Sequence, residues 1–289
     1  VDGRVPVIVI FHGVRGSTPA QTSGNEAYGG NTSCVALDIE GAPPIVLDLG
    51  TGLRSFGATV PKDEPFEGVV LLSHLHWDHV QGLPFFGPAL RAGSSLEIYG
   101  PSPDDCSLGE AFDRLIRPPY FPITLGDFEG NFAFHHVESG ELHFGSAVVK
   151  VAEVPHLGPT NGYRVEAHGV VVVYLSDHQG PIDGPPTISA EVRELCQDAD
   201  LLIHDAQYTD EEFADRAHWG HCTFDYAVHV ASECRVRRLA LYHHDPAHDD
   251  ATLDRLLAAA IDRAALVEWP IEVLAAAEGM HLILTRAAE

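Results

Sequence analysis

Short apolar runs separated by turn clusters dominate the first half of the chain. Val5–Phe11, Cys34–Ile39, Pro44–Leu47 and Val69–Leu72 are rich in β-branched residues and bounded by Gly or Pro, the pattern of strands. Val148–Val154, Gly162–Val165, Val170–Leu175 and Leu201–Ile203 repeat it, and Leu239–Tyr242, Ile271–Ala275 and Met280–Leu284 close the series. Apolar positions at helical spacing predict helices over Ala111–Ile116, Ser189–Gln197, Phe224–Glu233 and Thr252–Leu266. Asp249 and Asp250 precede the last of these and complement its dipole. Strand runs with helices inserted along the whole length predict two sheets flanked by helices. No low-complexity linker and no solenoid period divides the chain, so residues 1–289 are expected to form one domain.

One stretch, Asp104–Asn131, breaks the strand rhythm. Its centre, Arg117-Pro118-Pro119-Tyr120-Phe121-Pro122, is aromatic and stiffened by proline. It reads either as a surface crossover or as a lid in which Tyr120 and Phe121 wall a site.

Composition narrows the class. With 45% hydrophobic residues and a mean hydropathy near zero, the chain can bury a sizeable core. No apolar run reaches membrane-spanning length. No basic, apolar leader opens the sequence as given, although a start at Val1 leaves room for a removed one. Five scattered cysteines without a Cys-x-x-Cys pair read as mostly reduced, which fits the cytoplasm. A formal charge of −25 repels a polyphosphate backbone, so a large nucleic acid is a poor expected substrate. A small anion is still able to reach a metal-lined pocket. Histidine is the outlier: 18 residues, more than the 17 lysines and arginines together.

Four of the chemically expressive residues fall in one run. His74, His76, Asp78 and His79 follow the apolar stretch Val69–Leu72. Residues at i and i+2 by a strand end point the same way, so His74 and His76 can share a metal. Asp78 and His79 fall on the following turn and can face a second one. Imidazole and carboxylate are the ligands that hold zinc, manganese or iron with a position left for water. Downstream, polar residues end four more predicted strands: Asp48, His156, Asp177 and His243. Such strand ends are where α/β folds build sites.

This pattern resembles the metallo-β-lactamase-fold metallohydrolases over nearly the whole chain. The family's His-x-His-x-Asp-His signature stands as His74, His76, Asp78 and His79. Its later single His matches His156, its bridging carboxylate Asp177 and its final His His243. His244 competes for that last position, but strand alternation and its distance from the strand favour His243. The resemblance implies a four-layer αββα sandwich with two divalent metals at one edge, zinc or else manganese or iron. His74, His76 and His156 would hold one ion, Asp78, His79 and His243 the other, and Asp177 would bridge them. The implied nucleophile is a bridging hydroxide. Asp48 would orient the ligand loop, and His178 is outer support or surface.

A closer resemblance is to the family's phosphodiesterase branch, which includes RNase Z, class II cyclic-nucleotide phosphodiesterases and cyclic-phosphate phosphodiesterases. It rests on the opening Phe11-His12-Gly13-Val14-Arg15-Gly16-Ser17-Thr18-Pro19, on Tyr28-Gly29-Gly30-Asn31-Thr32-Ser33-Cys34, on His204-Asp205-Ala206-Gln207-Tyr208 and on Gly220-His221-Cys222-Thr223-Phe224. It implies His221 as a general acid or charge stabiliser and Asp205 as a support that accepts a hydrogen bond from a ligand histidine. Arg15 and Asn31 either contact an anionic substrate or only shape their Gly-rich turns. The basic arm with which RNase Z grips tRNA is missing, and so is an extra structural-zinc cysteine set. The expected reaction is hydrolysis of a small phosphodiester, cyclic or open; a thioester, lactone or β-lactam hydrolase and a non-catalytic metal-binding sensor are the rivals. A homodimer is left open.

Overall fold

Burial alternates along the outer strands and is continuous along the central ones, which fixes two layers of sheet. The computed structural model describes residues 5–286. The first sheet comprises β1 (Val7–Gly13), β2 (Cys34–Ile39), β3 (Ile45–Leu47), β4 (Glu67–Leu71), β5 (Ser95–Gly100), β6 (Asn131–His136) and β14 (His281–Leu284). The second comprises β7 (Gly140–Phe144), β8 (Ala147–Glu153), β9 (Asn161–Ala167), β10 (Val170–Leu175), β11 (Leu201–Asp205), β12 (Arg238–Tyr242) and β13 (Glu272–Ala275). Their spatial orders are β14-β1-β2-β3-β4-β5-β6 and β13-β12-β11-β10-β9-β8-β7. Both sheets are mixed: β3 to β6 and β10 to β13 run parallel, and the remaining pairings are antiparallel. Parallel strands are covered on both faces, which is why Val170–Leu175 is apolar throughout and wholly buried.

Between the sheets lies a core of Val, Leu, Ile and aromatic side chains that includes Phe11, Tyr163, Tyr174 and Tyr242. Helices α1 (Gly52–Thr59) and α3 (Leu108–Leu115) bury Phe56 and Phe112 on the outer face of the first sheet. Helices α4 (Ala190–Cys196), α6 (Phe224–Glu233) and α7 (Asp250–Ala264) cover the second. The result is the expected αββα sandwich. No helix among the described residues is long and apolar enough to cross a membrane.

Helix starts follow side-chain caps rather than apolar spacing. Helix α3 begins three residues before the predicted start because Ser107 and Glu110 form a reciprocal capping box. Helix α7 begins at Asp250 because Asp249 caps it, its carboxylate accepting from the Thr252 N–H at 2.8 Å. Three helices lie outside the prediction: α1, α2 (Trp77–Val80) and α5 (Asp210–Arg216). The first is rich in Gly, Ser and Thr, the second spans four residues and the third buries none of its side chains. Strands β5, β6 and β7 were outside it too, being half exposed and studded with polar residues.

Candidate active site

Parallel strands end on one edge of the sandwich, and their last residues converge there. His74 and His76 leave the segment after β4, and Asp78 and His79 sit on the single-turn helix α2. His156 follows β8, Asp177 follows β10 and His243 follows β12. His243 adopts a left-handed conformation (φ 58°), which turns the chain at the strand end.

Three groups of ligand atoms result, each within 4.8 Å: His74, His76, His156 and Asp177; Asp78, His79 and His243; and Asp177, Asp205, His221 and His243. Asp177 divides its oxygens between the first two. Its Oδ2 lies 3.8 Å from Nε2 of both His74 and His156. Its Oδ1 lies 3.1 Å from Nε2 of His79 and 3.4 Å from Nε2 of His243. Oδ2 of Asp78 is 3.1 Å from the same two Nε2 atoms. Nε2 of His74 and Oδ1 of Asp177 are buried without a hydrogen-bond partner. Buried polar atoms without partners, one in each of these neighbouring groups, fit bound cations, and the nitrogen and oxygen donors fit a borderline divalent ion such as zinc.

Electrostatics follow the same lines. Burial, helped by neighbouring His79, holds His74 neutral, which is the ligand form. Burial opposes charge on His79, but the carboxylates of Asp78, Asp177 and Asp48 outweigh it and raise the imidazole well above its ordinary value. Burial also opposes charge on Asp177, yet His243, His79 and His74 keep its carboxyl well below the usual carboxylate range.

A buried shell orients these side chains. Asp48, itself left-handed (φ 62°), accepts from the Ser73 N–H at 2.6 Å, the Ser73 hydroxyl at 2.8 Å, Nδ1–H of His79 at 2.7 Å and the Tyr174 hydroxyl at 2.7 Å. His156 donates Nδ1–H to the Gly220 carbonyl at 2.6 Å. His243 donates to Oε1 of Gln207 at 2.8 Å. The Ser17 N–H donates to Oδ2 of Asp78 at 2.7 Å. Neither Gln207 nor Ser17 was foreseen as a support. The signal for Gln207 was its place two residues beyond Asp205 at the end of β11. Gly16 has a plain reason to be glycine: a Cβ there would stand 2.4 Å from Nδ1 of His243.

His221 enters from the loop before α6, whose first turn is capped by Thr223. Its Nδ1–H donates to Oδ2 of Asp205 at 2.7 Å, and its ring lies 5.7 Å from that of His156 and 5.0 Å from that of His243. Burial would lower its pKa, but Asp205, Asp177 and Asp78 outweigh burial and raise it. The histidine that Asp205 supports is thus His221, not one of the seven proposed ligands. His178 is no surface residue: it is buried, with its ring nitrogen 2.9 Å from that of His204. His244 also turns away, its Nε2–H donating to the Ala276 carbonyl at 2.9 Å.

Four expected substrate contacts are elsewhere. Arg15 is fully buried, and its guanidinium donates to the carbonyls of Gly29, Asp245 and His248. It clamps the opening loop onto the His243 loop and, being buried, exposes no face to substrate. Asn31 gives its side-chain amide to Glu278 at 2.9 Å. Tyr120 and Phe121 wall a separate cavity of about 240 Å³ against Trp77 and Phe85, on the side of α2 away from Asp78 and His79. The periodicity of α2 separates these faces: Trp77, Val80 and Gln81 share one stripe.

Comparison with known proteins agrees with this geometry. A family model described as a beta-lactamase superfamily domain matches residues 45–244. An uncharacterized protein of Mycobacterium leprae is 30% identical over 212 residues, covering 71% of this chain and 68% of that one. Ribonuclease Z of Sulfurisphaera tokodaii is 29% identical over 211 residues, 62% of this chain and 70% of the other. Among solved structures, the Bacillus subtilis protein YhfI, of metallo-beta-lactamase fold, aligns with a TM-score of 0.71 at 19% identity over 97% of this chain and 100% of its own. The short form of human tRNase Z aligns with a TM-score of 0.68 at 22% identity over 95% and 98%.

Proposed function

The chain belongs to the beta-lactamase superfamily, and from that premise we propose that this metal-dependent hydrolase cleaves a small anionic phosphodiester at a two-metal site. The observation that carries the reading is the division of Asp177: one oxygen toward His74 and His156, the other toward His79 and His243. In this reading His74, His76 and His156 hold one ion, Asp78, His79 and His243 hold the second, and Asp177 serves both. Zinc suits the donors best, with manganese or iron as substitutes. Two such ions, when bound, supply an acidified water for attack and positive charge for the phosphoryl oxygens.

The protein's own groups do the rest. Asp48 and Gln207 fix the rings of His79 and His243 so that Nε2 of each faces the ligand cluster. His221 is tied through Nδ1 to Asp205, which leaves Nε2 to carry a proton to the leaving oxygen. An alkoxide leaving group requires that proton, which disfavours a thioester, whose thiolate leaves unprotonated. The relatives called ribonuclease Z act, by their name, on RNA, a phosphodiester polymer. Against a polymer here stands the formal charge of −25, so a small substrate is the better fit. A non-catalytic sensor has no need of all seven ligands together with a supported proton donor.

The test is a hydrolysis panel on metal-loaded protein with bis-p-nitrophenyl phosphate, a thioester and a lactone. Turnover of the phosphate diester is the expected result. Turnover of the thioester or lactone alone sinks the phosphodiesterase reading, and fewer than about one bound metal per chain sinks the two-metal site.

A further inference from the structure

A slot of about 180 Å³ opens directly beside His74 and His76. Pro101 and Pro103, from the segment after β5, form one wall, and Leu157 and Pro159, from the segment after β8, form the other, with Leu75 between. No Asp, Glu, Lys or Arg is among its described lining residues. In a chain carrying 42 acidic residues, an uncharged, largely apolar surface next to the histidine cluster, with the buried, unpartnered Ser102 hydroxyl in its lining, is selective for what it receives. Prolines hold their φ angles, so the walls lose little freedom when a group enters. The volume suits one ring: a cavity of about 150 Å³ admits benzene.

We infer that this slot binds the uncharged, ring-sized ester group that stays on phosphorus while the other ester leaves. The inference rests on the phosphodiesterase reading. His221 packs against His156 and His243 and is not among the described residues lining the slot, so the departing oxygen it serves is not the group the slot receives. Water adds to phosphorus and gives up a proton to solvent, the bond from phosphorus to the departing ester oxygen breaks, and His221 gives that oxygen its proton and regains one from solvent. The retained ester's ring remains against Leu157 and the prolines. The substrate class is thus a phosphodiester with one compact neutral ring on its retained side.

Two esters with the same leaving group test this: phenyl p-nitrophenyl phosphate and methyl p-nitrophenyl phosphate, on the metal-loaded full chain. Phenylphosphonate and methylphosphonate are titrated in parallel by calorimetry. The phenyl ester should exceed the methyl ester in kcat/KM by at least about tenfold, and phenylphosphonate should bind correspondingly more tightly. Leu157→Glu sets a charge at the mouth of the slot from a half-exposed loop position, and it should collapse both ratios. Leu157→Ala should reduce them by less, with metal content and Tm checked for both variants. Equal rates for the two esters, or a ratio unchanged in Leu157→Glu, overturns the slot and leaves the phosphodiesterase reading standing. If neither ester is cleaved, that reading falls, and the slot is then judged by calorimetry: equal affinity for the two phosphonates overturns it.

Discussion

Gln207 accepts the Nδ1–H of His243 at 2.8 Å, a neutral amide in the role that the Asp48 carboxylate plays for His79 at 2.7 Å. The amide is buried, and its own NH₂ donates to the Ser17 hydroxyl at 3.3 Å and the Tyr208 hydroxyl at 3.2 Å. One residue therefore ties the ring of His243 to the opening loop. Gln207→Ala should weaken the more labile metal by about 10- to 100-fold, read by competition with a chelator. Gln207→Glu retains an acceptor and should keep most of that affinity. Equal losses in both variants would count against positioning through this bond.

Arg15 offers a second separation of roles. Its guanidinium meets three backbone carbonyls in a fully buried position; without it the carbonyls of Gly29 and His248 lose their donor, while that of Asp245 keeps the His248 N–H at 3.0 Å. Arg15→Met should lower stability by about 3–5 kcal/mol in chemical denaturation of the metal-free chain. Any loss of activity should then track the folded fraction. A raised KM at full stability would return Arg15 to the substrate.

Acid should destabilise the fold partly through His12. Its Nε2 is buried without a partner, its ring packs on Phe56 at 5.3 Å, and burial, with a smaller push from His281, lowers its pKa to about 4 from 6.5. The unfolded chain then binds a proton that the folded chain refuses throughout that interval. The stability held above pH 6.5 is therefore lost as pH falls through about 4, by an amount on the order of 3 kcal/mol. His12→Leu removes the titration. Unfolding free energies of the two proteins, measured from pH 7 to pH 4, should converge or cross in favour of the variant; a constant difference would exclude His12 as the cause.

The run from His74 to His79 could be read from sequence because contiguous residues stay together however the chain folds. Asp177 and His243 were legible because each ends an apolar run, and strand ends share an edge. Arg15 and Asn31 stayed between two readings for a physical reason. A basic or amide side chain in a Gly-rich turn looks the same whether it faces a substrate or, as here, backbone carbonyls and a carboxylate from residues more than two hundred positions away. Tyr120 and Phe121 sit near α2 but on its far stripe, and only the helical turn at Trp77–Val80 decides that. Ser17 acts through its backbone N–H, to which its side chain gives no clue.

The proposed step from metal binding to phosphodiester chemistry rests on His221, and two variants separate its alternatives. Its ligand atom falls within 4.8 Å of those of Asp177, Asp205 and His243, so proximity alone is compatible with a metal ligand. Its Nδ1, however, is already engaged with Asp205 at 2.7 Å and stands 3.7 Å from Asp177. A proton donor held in this way should be dispensable for metal binding. His221→Ala should therefore retain full metal content while losing about 10²- to 10⁴-fold in kcat on an alkyl phosphodiester. The loss should shrink on bis-p-nitrophenyl phosphate, whose leaving group needs no proton. Asp205→Asn should reproduce the same substrate dependence in weaker form, because the ring of His221 keeps a hydrogen-bond partner but loses the charge that stabilises its proton. Metal loss in His221→Ala, or equal losses on both esters, would reassign the residue from acid to ligand or scaffold.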